Sequence, residues 1–433
     1  MELYSKLSQI HFAADRKNKS QAFRFYIDFT QELNDKALLS ALEQTLEFFP
    51  VFACRPYISA DKKTVGMKPN PLPPVICHDD SPVALGTDGT NGYLFRLANL
   101  GKTLMLSVFH ALADAHTAHM FLIHLLYYYF TAMGHKIDPE GALMTDKDLA
   151  DRDVTAPLED KLAEYGITER FSDPAAPPAE QIFHDLREEE LFDSDVYAVK
   201  RCALPFAELR KLTHELHTTP LLLMCVLGAQ ALRETADVGD KYVYSSYAAD
   251  LRSRLHSRST GEFGSVCGFY SSAEEAKLPL SGQLERAKSE FDRIMSGDLI
   301  LRVAKGMVDY ADMMTAYMDY TKKDAMIPML AQMAKKTSST VFYTNVGPLR
   351  FPKDIEAFMN RILIEGPPAK LDPTVSMHTF KDTLYIAFLH NTNDGAHFIR
   401  IVEKLVSLGV PCKILPAYTA SPDYLGNIPI VSE

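Results

Sequence analysis

The chain predicts an α/β fold assembled from two halves of similar topology, and three observations carry that expectation. Short apolar runs at strand length alternate with longer runs whose apolar residues recur every three or four positions, the pattern of strand and helix units. A stretch from 134 to about 195 is rich in proline and acid, with Asp173-Pro-Ala-Ala-Pro-Pro178 and Glu188-Glu-Glu190, and reads as a connection. Lys102-Thr-Leu-Met-Leu-Ser-Val-Phe-His110-Ala-Leu-Ala-Asp114-Ala115 aligns without gaps with Asp382-Thr-Leu-Tyr-Ile-Ala-Phe-Leu-His390-Asn-Thr-Asn-Asp394-Gly395. Each copy precedes an apolar helical segment, an echo that two halves of one topology would produce. The expected division is 1–180 and 181–433.

The elements follow in order. Residues 22 to 30 read as an opening strand and 35 to 49 as a helix. Residues 92 to 98 and 103 to 109 read as two strands around Asn99-Leu100-Gly101-Lys102, a hairpin. The run 103–109 is apolar apart from Ser107 and too short for a helix, as expected of a strand buried on both faces. From 115 to 130 the spacing of Met120, Ile123, Leu126, Tyr127 and Phe130 is helical. The second half opens with a strand at 196–204, helices at about 206–217 and 221–235, and a strand at 242–249 that ends at Asp250-Leu251-Arg252. Gly261-Glu-Phe-Gly264-Ser-Val-Cys-Gly268 has neither a preceding strand nor a Gly-Lys-Ser/Thr ending, so it reads as a loop entering a strand, not a phosphate loop.

Composition narrows the function. A length of 433 residues with 47% hydrophobic side chains is ample for sizeable cores, and the formal net charge of -11 disfavours nonspecific binding of nucleic acid or anionic membrane. No apolar core follows a basic start and no run of eighteen apolar residues occurs, so neither a secretory leader nor a membrane span is expected, and a cytoplasmic location is. Six cysteines lie in apolar contexts without a Cys-x-x-Cys pair, which suits reduced, mostly buried thiols.

His110 stands at the exit of an apolar strand and Asp114 where a helix begins. A histidine at such a junction can face a cleft while its backbone stays fixed, which suits a general base; it also suits an ordinary hydrogen-bonded histidine at a sheet edge. Asp114 is placed to be an N-cap. His116, His119 and His124 lack the His-Glu-x-x-His pattern of a helical zinc site, so no metal is expected. No Gly-x-Ser-x-Gly elbow supports a serine hydrolase.

Phe109-His110-Ala-Leu-Ala-Asp114-Ala115 resembles the HHxxxDG motif of the chloramphenicol acetyltransferase-like superfamily of CoA-dependent acyltransferases, which includes condensation domains and stand-alone alcohol acyltransferases. Phe109 replaces the first histidine and Ala115 the glycine. The resemblance extends to Ala37 through Phe52, similar to the family's first helix, to Ala249-Asp250-Leu251-Arg252, and to Tyr343-Thr344-Asn345-Val346-Gly347-Pro348, similar to its SNxG segment. It implies two pseudo-symmetric αβ subdomains with an active-site tunnel between them. It implies His110 as catalytic base, Asp114 as structural support, and Arg252 as a structural arginine near the cleft and ion-pair partner of Asp114. Thr344 or Asn345 would line the cleft and donate to an oxyanion or to pantetheine; a simple turn fits Asn345 to Pro348 nearly as well. The implied reaction moves an acyl group from acyl-CoA, as co-substrate and with no bound cofactor, to a small hydroxyl or amine acceptor. The alternatives are a condensation-type enzyme with a carrier-protein donor and a noncatalytic binding module. His390-xxx-Asp394-Gly395 is a rival for the working motif, set aside because the family keeps its working histidine in the first half. Lys322-Lys323 and Lys335-Lys336 are candidate basic patches for CoA phosphates or an acidic carrier, and equally a solvated face.

Overall fold

The structure, a computed structural model, describes residues 5–15, 20–184, 196–326, 339–367, 373–390 and 395–430. The first half supplies α1 (Lys6–Ala14), β1 (Ala22–Phe29), α2 (Asp35–Phe48), β2 (Cys54–Ile58), β3 (Val65–Pro69), β4 (Ile76–Cys77), β5 (Ala84–Leu85), β6 (Phe95–Asn99), β7 (Thr103–Phe109) and α3 (Ala115–Ala132). Short helices α4 (Asp146–Leu149) and α5 (Leu158–Glu164) lie in the connection. The second half supplies β8 (Tyr197–Pro205), α6 (Phe206–Glu215), α7 (Pro220–Thr235), β9 (Val243–Asp250), β10 (Gly264–Ser271), α8 (Leu280–Met295), α9 (Leu299–Tyr317), β11 (Val341–Leu349), β12 (Met359–Glu365), β13 (Thr374–Phe380), β14 (Thr383–His390), the helix Ala396–Ser407, β15 (Lys413–Ala420) and β16 (Tyr424–Leu425). The strand read as starting at Gly92 starts at Phe95, because Gly92 takes φ 81° and still belongs to the preceding turn.

Each half is a sheet covered by helices. The first sheet has the order β12-β1-β7-β6-β4 and the second β10-β9-β11-β13-β14-β8-β15. In the first, Phe23, Phe25 and Ile27 of β1 stand opposite Val108, Leu106 and Leu104 of β7, and all join one core with Leu38 and Leu42 of α2 and Phe121, Leu122 and Leu125 of α3. β7 is buried from Leu104 to Phe109, so its apolar run needs no polar alternation. The echo is structural: β7 leads to α3 and β14 leads to the helix Ala396–Ser407, each strand joined antiparallel to its predecessor in the chain. This is the α/β architecture of two similar halves that the sequence predicts.

The two halves are laced together. β11 lies between β9 and β13 of the second sheet, but the chain then crosses, and β12 pairs antiparallel with β1 of the first. α1 bridges the two cores, with Leu7 in the second and Phe12 and Ala13 in the first. Asp423, near the chain's end, is fully buried and lies 3.1 Å from Arg24 of β1 and 3.0 Å from Arg96 of β6. Glu365, at the end of β12, is 1% exposed and faces Tyr197 and Arg201 of β8, with Tyr197 donating to it at 3.4 Å. No helix among the described residues is long and apolar enough to cross a membrane, and all six cysteines are unbridged thiols.

Candidate active site

β7 delivers His110. Its last residue, Phe109, packs against Phe12 of α1, and the His110 amide donates to the Gln21 carbonyl at 2.8 Å, so the backbone is fixed one residue beyond the strand. The side chain is 23% exposed, and its ring meets the edge of Phe23 with centroids 5.1 Å apart. Burial, and after it the positive charge of His11, lower the pKa of the His110 ring; Glu262 and Asp114 act in the opposite sense. The base form is therefore favoured.

Asp114 has three partners, the Phe263 amide at 3.3 Å among them. Its Oδ1 accepts from the Thr117 amide at 3.0 Å, the N-cap of α3, and its Oδ2 lies 2.8 Å from Arg252 Nη1. Burial raises the Asp114 pKa, but Arg252 and the Thr117 amide together hold the carboxyl below the usual carboxylate range. Arg252, 8% exposed, is itself consumed: it donates to the carbonyls of Ser259 at 2.8 Å and Gly261 at 2.7 Å and to Asp250 at 3.1 Å. Asp114 takes an extended conformation, φ -87° and ψ 177°, and Ala115 starts the helix, so the turn makes no demand for glycine there. The Arg252–Asp114 pair thus ties the start of α3 to the loop 253–263 of the other half.

That loop brings a residue that sequence reasoning missed. Glu262 places Oε1 4.0 Å from His110 Nδ1 and Oε2 2.9 Å from His11 Nε2. His11, also missed, lies on α1 with its ring stacked on that of His110, centroids 4.4 Å apart and planes within 10°. Its other nitrogen is 3.0 Å from Gln21 Oε1. Burial favours a neutral His11 ring, but Glu262, Gln21 and Asp15 raise its pKa, and His11 in turn lowers that of Glu262 against burial. His11, His110 and Glu262 have ligand-type atoms within 4.8 Å of one another. Parallel stacked rings do not both aim in-plane lone pairs at one ion, so the arrangement of the two rings is a poor fit to a shared metal. No spacing rule could have joined residues 11, 110 and 262. The one signal was a carboxylate set between Gly261 and Gly264 just ahead of β10.

The remaining predicted residues stand on other elements. Thr344 and Asn345 sit on β11, where Asn345 is exposed and accepts from the Gly347 amide at 3.0 Å. Asn345 to Pro348 is not a simple turn: it is a bulged strand, its register against β13 shifting between Asn345 and Gly347. Among the described residues, no hydrogen bond joins Thr344 or Asn345 to His110, Asp114 or Glu262. His390 ends β14, 5% exposed, opposite Ala198 of β8; Asp394 lies outside the described residues, as do Lys335 and Lys336. Lys322 is exposed, whereas Lys323 donates to the Phe12 carbonyl at 3.2 Å, and both lie in the 3-10 segment Tyr320–Met326. His124 is a core histidine held between the Met120 carbonyl at 3.0 Å and the Met144 amide at 2.8 Å. A cavity of about 240 Å³ beside α7, β10 and α8 is lined by none of the candidate residues.

No family model and no curated protein matches the sequence. Solved structures do match over nearly the whole chain. Polyketide synthase associated protein 5 from Mycobacterium tuberculosis is 16% identical with TM-score 0.60, over 92% of this chain and 96% of that one. The F. sporotrichioides TRI101 complexed with coenzyme A and T-2 is 11% identical with TM-score 0.58, over 96% and 99%. TRI3 trichothecene 15-O-acetyltransferase from Fusarium sporotrichioides is 10% identical with TM-score 0.59, over 93% of each chain. With two helix-covered sheets and this likeness from end to end, the chain has the fold that these solved structures share.

Proposed function

We propose that the protein is an acyltransferase that moves an acyl group from a CoA thioester to a small hydroxyl or amine acceptor, with His110 as general base. The observation that carries this reading is the place of His110: a partly open imidazole just beyond β7, where burial favours the neutral ring, beside a helix start held by the Asp114–Arg252 pair. Likeness to a fold that holds coenzyme A in one structure and belongs to an acetyltransferase in another supports it.

The chemistry follows from charge. As the acceptor oxygen bonds to the thioester carbonyl carbon, His110 takes the hydroxyl proton, and negative charge gathers on the carbonyl oxygen. Collapse of the tetrahedral intermediate breaks the carbon–sulfur bond. The departing CoA thiolate then recovers the proton from the His110 imidazolium, which returns the base to its starting state. Glu262, 4.0 Å from His110 Nδ1, lies where it steadies the imidazolium in between. Asp114, already shared between Thr117 and Arg252, supports the loop. Thr344 and Asn345 are proposed to donate to the oxyanion or to pantetheine. Acyl-CoA is a co-substrate here, and no bound cofactor is called for.

Carrier-borne donors form the second reading, supported by the likeness to a polyketide synthase associated protein. The test is thiol release from acetyl-CoA and longer acyl-CoAs with a panel of alcohols and amines, for the native chain, His110→Ala and His390→Ala. Acceptor-dependent release lost only in His110→Ala upholds the reading. Release lost only in His390→Ala moves the base to the second half. No release with free CoA esters, but transfer from an acyl carrier protein, establishes the carrier-dependent enzyme; silence with both leaves a binding module.

A further inference from the structure

We infer that His11 is a positioning residue for His110: Glu262 and Gln21 hold it so that its ring lies flat against the His110 ring and presents a positive charge to that ring's face. The inference rests on the reading of His110 as the base and adds a device that governs it.

An ion-pair contact on one side of the ring and a hydrogen bond on the other make the case. His11 Nε2 lies 2.9 Å from a carboxylate oxygen of Glu262 and His11 Nδ1 lies 3.0 Å from Oε1 of Gln21. The Gln21 amide turns its Nε2 the other way, toward the Ser20 carbonyl at 3.3 Å, which leaves Oε1 for His11. Both ring nitrogens of His11 therefore face acceptors. A neutral imidazole has one donor, and only the imidazolium has two. The carrier of this charge is anchored: α1 sets Leu7 into one core and Phe12 into the other, and Gln21 joins the two histidines by accepting the His110 amide at 2.8 Å.

A cation over the face of a neutral ring is attracted to it, and a cation over a second cation is repelled. With planes within 10° and the Phe23 edge on another side, the His110 ring is held in plane and its uncharged form is preferred. Two carboxylates facing His110 work against this, Glu262 from the loop and Asp114 from the start of α3, while Asp15 beyond α1 supports the charge on His11. Glu262 is shared, 2.9 Å from His11 and 4.0 Å from His110, and its pull on His110 yields to burial and the His11 charge.

The test separates this coupling from acyl transfer. The full-length chain, labelled in histidine, is titrated by NMR, with the His110 signal assigned through His110→Gln. His11→Phe keeps a flat ring without the charge, and His11→Asn keeps a donor for Glu262 without the charge. In either variant the His110 midpoint moves to higher pH, and in Glu262→Gln the His11 midpoint moves to lower pH. The acid limb of kcat/KM for acyl transfer follows the first shift, with about a threefold loss at pH 6 and the rate at pH 8.5 retained. A His110 midpoint unchanged in both His11 variants, each folded by circular dichroism, overturns the inference. A shifted midpoint in a protein that transfers no acyl group upholds the coupling and overturns the acyltransferase reading instead.

Discussion

His110 directly follows β7 in the first sheet and His390 ends β14 in the second, at matching positions of a gapless alignment. Their neighbourhoods differ. His110 is partly open and receives His11 from α1, Glu262 from the loop before β10, and an Asp114 that Arg252 pins from the other half. His390 is buried at the β8 side of its sheet, next to the Phe388 ring. Equal motifs thus acquire unequal neighbours through residues about a hundred or more positions distant in sequence. The motif provides a frame, and α1 together with the opposite half gives His110 its neighbours.

The comparison can be broken most directly by exchange of effects. His110→Ala is expected to lower kcat/KM for acyl transfer by about 10²–10⁴-fold, and His390→Ala to change it little; steady-state kinetics with acyl-CoA check both. A loss in His390→Ala of the size predicted for His110→Ala would invert the assignment of halves.

Next in size is the tie between halves. Arg252→Met strands a mostly buried Asp114 carboxylate and is expected to cost about 3 kcal/mol in urea unfolding at pH 7. Asp114→Asn in the same background recovers much of that. Because the folded Asp114 pKa is depressed, the stabilisation from its pair is present above the unfolded carboxylate pKa and fades as pH falls. The cost of Arg252→Met should shrink accordingly toward pH 3.

The seam beside β12 gives the third effect. Burial pushes the Glu365 carboxyl up to about 7, against the pull of Arg201 and Arg24. A folded pKa raised above the unfolded one means stability that is complete below about pH 4.5 and lost as pH rises through 7. Glu365→Gln is therefore expected to stabilise the protein by about 2 kcal/mol at pH 8 and to be neutral at pH 4, measured by unfolding at both.

The smallest effect lies in the motif's last position. Ala115→Gly and Gly395→Ala exchange the two halves' residues, and each is expected to change stability by under about 1 kcal/mol. Neither position needs a left-handed backbone, and a Cβ at Gly395 would meet only the flexible Lys200 chain end, at 3.1 Å. A larger loss in Ala115→Gly would show that the turn into α3 is held more tightly than its dihedral angles suggest.

Much of the frame was legible because it is local. The apolar run 103–109 and the helical spacing after Ala115 each depend on neighbours a few residues away, and β7 and α3 stand where those patterns put them. The cap at Asp114 was equally readable, since an N-cap is a matter of three residues. His11 and Glu262 were not, because proximity across 251 positions leaves no periodicity to read. The destination of β12 was hidden for a related reason: its residues 359–365 form a strand, but strand character does not specify which sheet receives it. The bulge at Asn345 to Gly347, a turn signal by composition, is overridden by parallel pairing with β13.

The placement of β12 has a consequence for the order of synthesis. A ribosome releases the other strands of the first sheet early, yet β1 keeps an open edge until residue 365 has emerged. During that interval the nascent chain presents Ala22–Phe29 as an unpaired, largely apolar template, the kind of edge that recruits foreign strands. The protein's yield in a cell should then depend on chaperones that shield the first half while the second is being made.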